Sequence, residues 1–190
     1  MDVTKLLETD HRQVEELFTA IEAAEGPDRT PLIEELATAL KAHMQLEEDV
    51  LYPVMAPATG EEAVEEANTE HELARKSLQE MLDLAPDEPG FGAAMEATKA
   101  GIEHHVEEEE NEVFPKLRKD NSVLAQIATP FMQKRVALGL PVDAAALAAS
   151  STKDELLSEA KNAGIDLRDS ATKDEIAEAL AEAMAGSSPS

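Results

Sequence analysis

Ile102–Leu117, IEHHVEEEENEVFPKL, decides how this chain folds, because an earlier stretch, Ala42–Met55 (AHMQLEEDVLYPVM), repeats its pattern. In both stretches a histidine is followed four residues later by a carboxylate, and then by an aromatic residue and a proline. The aligned pairs are His43 and His105, Glu47 and Glu109, Tyr52 and Phe114, and Pro53 and Pro115. Residues i and i+4 lie on one face of an α-helix, so each copy can direct an imidazole and a carboxylate to one point.

Helical periodicity extends this repeat to two helical hairpins. Two further helices precede the repeated stretches, and each carries a histidine on its apolar face, His11 in the first and His71 in the third. The first predicted helix runs from about Val3 to Ala24, and the second begins at Thr30-Pro31 and ends at a turn marked by Pro57 and Gly60. The third runs from that turn to Pro86, and the fourth follows Gly90. Aromatic residues are only 3% of a chain dominated by Ala, Leu and Glu, which favours helix over strand. We therefore expect an all-α, up-down-up-down four-helix bundle, with an extra helix and a small C-terminal helix–extension–helix unit.

Six residues on the inner faces of these helices form a candidate metal site. They are His11, His43, Glu47, His71, His105 and Glu109. One such residue alone would be read as a core histidine or a surface carboxylate, but a histidine on every helix and two carboxylates in repeated register require another explanation. Burying a carboxylate costs several kcal/mol unless it is paired, protonated or bound to metal. Nitrogen and oxygen ligands without thiolate suit iron, manganese or zinc, and carboxylates from two helices can bridge a metal pair.

Several neighbouring residues are expected to lie outside this ligand set. His104 is rotated by about 100° from His105, which predicts a surface or helix-interface position. Glu107, Glu108, Glu110 and Glu112 are predicted to form mostly a solvated face. Tyr52 and Phe114 are expected to cap the bundle core, and the Tyr52 hydroxyl could also hydrogen-bond a ligand or a bound oxygen species.

The duplicated pattern resembles the hemerythrin / HHE cation-binding family over about residues 1–118. The resemblance implies a non-haem centre of two iron ions, with a probable oxo or hydroxo bridge, that binds O2 or reacts with oxygen and nitrogen species such as peroxide or NO. It also implies that the four histidines are terminal ligands and that the two carboxylates, Glu47 and Glu109, bridge the irons. Manganese and zinc remain compatible with the same donors.

The chain departs from the oxygen-carrying members of that family at two positions. Those proteins have a second histidine one turn after the third-helix ligand, where this chain has Arg75, and a bridging aspartate five residues after the last histidine, where this chain has Glu109 after four. The missing histidine implies an open coordination position, which argues against reversible O2 carriage and leaves room for peroxide, NO or O2 chemistry. Alternatively, Tyr52, Glu70, Glu108 or His104 replaces the missing ligand. The small ligand is expected to occupy an apolar pocket lined by residues such as Val14, Leu40, Leu78 and Ile102.

The pattern changes after Lys119, which suggests four segments. Residues 1–120 are predicted to form the metal-binding bundle. Residues 121–150 are predicted to form an additional helix, broken or kinked near Pro130, followed by an Ala-rich linker that could contain a short helical turn. Residues 151–185 are predicted to form the helix–extension–helix unit, and residues 186–190 a disordered tail. Residues 151–184 weakly resemble helix–extension–helix modules of the SAP and Rho N-terminal type. Residues 151–190 contain four basic and nine acidic residues, so a protein partner or self-association is expected there and nucleic acid is not.

Bulk properties narrow the function further. A formal net charge of −25 argues against general nucleic-acid binding and against adhesion to anionic membranes. The chain has no cysteine, and we find neither a signal peptide nor an apolar run of membrane-spanning length, so a cytoplasmic location is expected. The main hypothesis is a hemerythrin-like protein that binds, senses or detoxifies O2, peroxide or NO, with enzymatic turnover left open. The alternative is an iron-responsive interaction protein, in which the metal-stabilised bundle controls partner binding by the C-terminal module; a metal-free scaffold would leave the two core glutamates unexplained.

Overall fold

The computed structural model describes residues 1–119, 121–168 and 170–185, and within those residues the regular structure is entirely helical. The α-helices are α1 (Thr4–Ala23), α2 (Arg29–Leu46), α3 (Tyr52–Thr59), α4 (Glu61–Leu82), α5 (Phe91–Glu108), α6 (Phe114–Leu117), α7 (Asn121–Ala137), α8 (Ala144–Ser150), α9 (Lys153–Asn162) and α10 (Lys173–Ala185). Two five-residue π-helical segments, Glu47–Leu51 and Glu109–Val113, join α2 to α3 and α5 to α6. The predicted all-α bundle with additional helices is confirmed.

The bundle consists of two helical hairpins, as the internal repeat predicted. Helix α1 packs on α2, α4 packs on α5, and α2 also contacts α4. The first helix agrees with its predicted bounds to within one residue at each end. The turn predicted at Pro57 and Gly60 is wrong in one detail: α3 continues through Pro57, and the chain turns at Gly60, whose φ of 98° is accessible to glycine.

The two π-helical segments are a feature that the sequence analysis missed. Each lies just before an aromatic–proline pair, and the proline ring would collide with the carbonyl four residues back in a regular helix. That carbonyl belongs to Asp49 for Pro53, and to Asn111 for Pro115, so it falls inside the π-helical segment in both copies. The wider turn accommodates the proline without ending the helix, and it begins at Glu47 and Glu109.

A layer of polar side chains crosses the bundle between two apolar clusters. On α1, Leu7 belongs to one cluster and Val14 to the other, and His11 lies between them. The same alternation brings the histidines of α2, α4 and α5 to the same level of the bundle. Apolar packing above and below therefore fixes the height at which the polar side chains meet.

The C-terminal helices pack against one end of the bundle and share its larger apolar cluster. Leu147, Leu156 and Ile176 belong to the same buried cluster as Leu6 and Leu7 of α1. The linker predicted before residue 150 contains α8, which Asp143 caps through the backbone N–H of Ala146. Helix α7 runs through Pro130.

Two capping boxes begin the helices of the helix–extension–helix unit, formed by Thr152 with Glu155 and by Thr172 with Glu175. Whether the four predicted segments are separate domains stays a prediction, and the tail predicted for 186–190 lies outside the described residues. None of the described helices is both long and apolar enough to cross a membrane.

Candidate metal centre

The six predicted ligands meet in the polar layer at the middle of the bundle. All are almost fully shielded from solvent, with exposed fractions for His11, His43, Glu47, His71, His105 and Glu109 of 2%, 5%, 0%, 1%, 4% and 2%. Their role as metal ligands stays a prediction, but the structure brings all of them to one place. We call His11 and His43 the first half-site, and His71 and His105 the second half-site.

The inner nitrogens of the histidines face one another in pairs. The Nε2 atoms of His11 and His43 are 3.2 Å apart, and those of His71 and His105 are 3.1 Å apart. Glu47 lies between the pairs, with Oε1 3.2 Å from His43 Nε2 and Oε2 3.3 Å from His71 Nε2. One carboxylate therefore reaches both half-sites.

Glu109 also spans the two half-sites. Its Oε2 lies 3.5 Å from Nε2 of His11 and 3.6 Å from Nε2 of His105. Two groups of mutually close donor atoms result, one made by His11, His43, Glu47 and Glu109, and the other by Glu47, His71 and His105. Glu109 thus completes a group of four mutually close donors in the first half-site, and in the second it approaches His105.

A carboxylate contacts the outer nitrogen of each histidine. The Nδ1 contacts are His11 with Glu110 at 2.8 Å, His43 with Asp10 at 3.4 Å, His71 with Glu48 at 2.9 Å, and His105 with Glu70 at 2.8 Å. A carboxylate at Nδ1 favours the tautomer with its proton there and leaves the Nε2 lone pair facing inward, which is the arrangement of metal-bound histidines. Two Nε2 lone pairs about 3 Å apart would repel each other unless a proton or a metal ion lay between them.

These supporting carboxylates are sequence neighbours of the predicted ligands. Asp10 and Glu70 each precede a histidine, and Glu48 and Glu110 each follow one of the two central glutamates. The prediction that Glu110 belongs to a solvated face is therefore wrong, because its side chain is 25% exposed and contacts His11. Sequence reasoning missed these roles because each contact joins two different helices, although the repeated adjacency in the chain was a usable indication.

Basic side chains hold most of these carboxylates in turn. Arg12 contacts Glu110, and Arg75 Nη2 donates to both oxygens of Glu48 at 2.7 Å. Arg75 thus occupies the position of the missing family histidine and supports His71 through Glu48. Arg135 of α7 donates to both oxygens of Asp10, with Nη1 2.6 Å from Oδ2.

The two central carboxylates show that the residues fit a bound cation. No oxygen of Glu47 or Glu109 accepts a hydrogen bond from any described residue, although all four oxygens are buried. Imidazole nitrogens lie 3.2 to 3.6 Å from these oxygens, outside hydrogen-bonding geometry. Buried carboxylates without hydrogen bonds are costly, and a metal ion bound by them and by the Nε2 atoms would remove that cost.

Protons are the competitors for this site in the metal-free chain. Burial alone would lower the pKa of His43, but the charges of Glu47 and Asp10 raise it to about 10. Burial would raise the pKa of Glu47, yet the charge of His43 holds that pKa well below its ordinary value. The His43 imidazolium thus pairs with the Glu47 carboxylate when no metal is bound.

Among the four residues proposed to replace the missing ligand, Tyr52 faces the inner nitrogens. Its hydroxyl lies 3.0 Å from His71 Nε2, in the second half-site. His104 is 64% exposed and contacts Glu70 and Glu108 at the surface, while Glu70 lies behind His105 at its outer nitrogen. Burial and the nearby carboxylates, Glu47 first among them, raise the pKa of Tyr52 well above its ordinary value, so its O–H remains a donor.

The predicted apolar pocket is only partly observed. A groove of about 470 Å³ between α1 and α5 is lined by Val14 and Ile102, and it reaches His11. Leu40 and Leu78 instead pack in the apolar cluster on one side of the polar layer. The groove gives a route from the surface to the first half-site.

Comparisons with known proteins identify the family of the chain. A family model described as "Hemerythrin HHE cation binding domain" matches residues 2–117. The chain is 26% identical over 123 residues to a DNA nickase of Nostoc sp., covering 64% of this chain and 35% of the nickase. It is 28% identical over 114 residues to an uncharacterized hemerythrin-like protein of Schizosaccharomyces pombe, covering 58% of this chain and 56% of that protein. The chain thus spans about a third to a half of the length of these relatives.

A solved structure extends the similarity of fold beyond the bundle. The crystal structure of a hemerythrin HHE cation-binding domain-containing protein from Mycobacterium kansasii superimposes with a TM-score of 0.60 at 20% identity. The match covers 96% of this chain and 99% of the other. The additional helices after the bundle therefore belong to the shared fold.

Proposed function

Because the chain belongs to the hemerythrin HHE cation-binding family, we propose that it holds two iron ions and binds, senses or detoxifies O2, peroxide or NO. One observation carries the proposal: four inward imidazole nitrogens, each supported from behind by a carboxylate, surround two buried glutamates without hydrogen bonds. Iron is the proposed metal because imidazole and carboxylate donors with a shared bridging carboxylate suit a redox-active pair.

The residues of the second half-site would handle the small ligand. In that half-site Glu109 does not belong to the group of mutually close donors, so the open coordination position is proposed there. Iron would supply redox and Lewis-acid chemistry at this position. Tyr52, whose hydroxyl lies 3.0 Å from His71 Nε2, would donate a hydrogen bond to a ligand bound in this half-site. The buried apolar side chains above and below would exclude bulk water.

Two other functions have less support in the structure. The alternative hypothesis of a C-terminal module that reports metal binding to a partner stays a prediction, and the apolar residues Leu156 and Ile176 of that module already pack in the bundle's cluster. The DNA nickase activity named for the Nostoc protein is not proposed here, because the match covers 35% of that protein and the net charge of this chain is −25.

The proposal is tested by loading metal-free protein with Fe²⁺ under anaerobic conditions and then adding O2, hydrogen peroxide or NO separately. We expect new ligand-to-iron absorption bands that change with at least one of these molecules and with azide. The variant His71→Gln should lose the response, whereas Lys76→Gln, which changes an exposed side chain on the same helix, should retain it. A loaded protein with no response to any of these molecules would contradict the proposal.

A further inference from the structure

Arg135 is a buried cation that the family-matched segment does not contain. It lies on α7, beyond residue 117 where the match to the family ends, and its side chain is only 3% exposed. Its guanidinium makes two parallel contacts with Asp10, Nη1 to Oδ2 at 2.6 Å and Nη2 to Oδ1 at 2.5 Å. Planar two-point contacts of this kind fix the orientation of a carboxylate.

The chain after α7 fixes Arg135 in turn. The carbonyl oxygen of Pro141 accepts from Nε of Arg135 at 2.9 Å and from Nη2 at 2.8 Å. The loop between α7 and α8 thus occupies donors that the carboxylate does not use. A rotation of the guanidinium would therefore break its contacts with Asp10, with Pro141 or with both.

Asp10 transmits this constraint to the metal centre. Its Oδ2 contacts both Arg135 and, at 3.4 Å, the outer nitrogen of His43. Asp10 also precedes His11 directly, so it adjoins the other histidine of the first half-site through the backbone. A second attachment of the same helix to the C-terminal region comes from the backbone N–H of Asp2, which donates to the carbonyl of Ser150 at 2.7 Å.

Among the described residues, none outside the bundle supports the second half-site in this way. Glu48 behind His71 is held by Arg75 of α4, and Glu70 behind His105 contacts His104 of α5. Both supporting side chains are more exposed than Arg135, at 38% for Arg75 and 64% for His104. The two half-sites therefore differ in which part of the chain positions them.

We propose that Arg135 is a positioning residue for the first half-site, so that the C-terminal region beyond the family-matched segment is required for one of the two metal ions. This inference rests on the proposed two-metal centre. It predicts that loss of Arg135 weakens metal binding at His11 and His43 and leaves binding at His71 and His105 unchanged.

The test is an anaerobic calorimetric titration of the full chain with Fe²⁺. Wild type is expected to bind two ions, and Arg135→Gln to bind one with unchanged affinity and the other about 10- to 100-fold more weakly. Lys134→Gln is the matched control, since it removes one positive charge from the same helix at a side chain that contacts exposed Asp49. The control should bind both ions as wild type does.

Backgrounds with a single half-site show where the loss occurs. In a His71→Gln background, which retains the first half-site, adding Arg135→Gln should again cost about 10- to 100-fold. In a His43→Gln background, which retains the second half-site, the same change should have no effect. A general loss of folding would weaken both backgrounds together, so it would be distinguished from a positioning effect.

The outcomes separate this inference from the proposed function. A wild-type chain that binds no Fe²⁺ would contradict both. A wild type that binds two ions, with Arg135→Gln either unchanged or equally weakened in both backgrounds, would overturn the inference alone. If Arg135→Gln does not fold, Arg135→Lys replaces it: lysine keeps the charge but not the two-point contact, and a selective loss of several-fold at the first half-site is expected.

Discussion

The two half-sites of the candidate metal centre come from a duplicated helical hairpin, yet they differ in the residues that surround them. In the first half-site Phe114 stacks on His11, with ring centroids 5.9 Å apart, and Arg135 lies buried behind Asp10. In the second, the equivalent aromatic residue is Tyr52, and its hydroxyl faces His71. The same helical framework thus provides one half-site with an apolar ring stacked on a histidine and one with a hydroxyl donor beside its inner nitrogens.

Under the proposed function, this difference indicates that the two copies of the motif have different roles, one in holding a metal ion and one in binding the small molecule. Packing and a buried ion pair hold the first half-site, while among the described residues the second has no buried basic side chain behind its histidines. A half-site that binds a small molecule needs an open position, and one that holds a metal firmly does not. The duplication therefore allows both properties within one bundle.

Removing the carboxylate that joins the half-sites should have the largest effect. Glu47 contacts His43 in one half-site and His71 in the other, so Glu47→Gln should lower the affinity for both metal ions. The loss should exceed the roughly 10- to 100-fold that is typical of supporting residues. Calorimetric titration with Fe²⁺ measures this. Glu110→Gln is the comparison: it changes a contact with His11 alone among the histidines, so it should lower the affinity for one ion. A Glu47→Gln chain that still bound both ions as wild type does would contradict a carboxylate shared between the half-sites.

Protons should compete with metal ions at both half-sites, so the affinity for metal should rise with pH at each of them. His43 has a pKa raised to about 10 and His105 a pKa raised well above its ordinary value, so metal uptake must displace protons at neutral pH. Apparent affinity for Fe²⁺ should therefore rise about tenfold per pH unit for each proton displaced, in titrations between pH 6.5 and 8. An affinity independent of pH would show that these histidines are already neutral.

Stability of the metal-free chain should change in the opposite direction. A raised histidine pKa contributes stability that is complete below the unfolded value of 6.5 and is lost as pH rises towards the folded value of about 10. The lowered pKa of Glu47 contributes stability above its unfolded value of 4.5, which is lost as pH falls further. Urea unfolding of metal-free protein should thus give a higher free energy of unfolding near pH 6 than near pH 9. The reverse order would contradict the ion-paired polar layer.

Arg75 offers a smaller test of the second half-site. Its contact with Glu48 supports His71, but the Arg75 side chain is 38% exposed and water can replace part of that contact. Arg75→Gln should lower the affinity for one Fe²⁺ ion by less than about 10-fold, which is the low end of the range for supporting residues. Arg29→Gln changes an arginine outside the polar layer and serves as the control. A loss at the first half-site instead would contradict the assignment of Arg75 to His71.

Exchanging the aromatic residues should have the smallest effect. Tyr52→Phe gives the second half-site the side chain that the first has, so iron binding should be retained while the reaction with peroxide or NO slows by about 2- to 10-fold, the value of one hydrogen bond. Phe114→Tyr is the reciprocal variant and should leave that rate unchanged. Stopped-flow absorbance measures both, and equal effects from the two variants would contradict a special role for the second half-site.

The sequence predicted the bundle and the convergence of the six polar residues well, because helical period and internal repeat are local properties of the chain. It could not predict which carboxylate stands behind which histidine, since Glu48 and Glu110 each reach a helix of the other hairpin. Arg135 was further from prediction: it lies 125 residues from Asp10, and nothing local distinguishes it from a surface arginine on α7. The π-helical segments also depend on how proline is accommodated in a packed helix.

Iron content per chain tests the central claim most directly. Full-length protein would be loaded anaerobically with Fe²⁺, freed of unbound metal, and analysed for iron and protein concentration, alongside His11→Gln and His71→Gln. A centre with two half-sites predicts two irons per wild-type chain, with fewer retained in each variant. A wild-type chain that retained no iron, or the same amount as both variants, would contradict it.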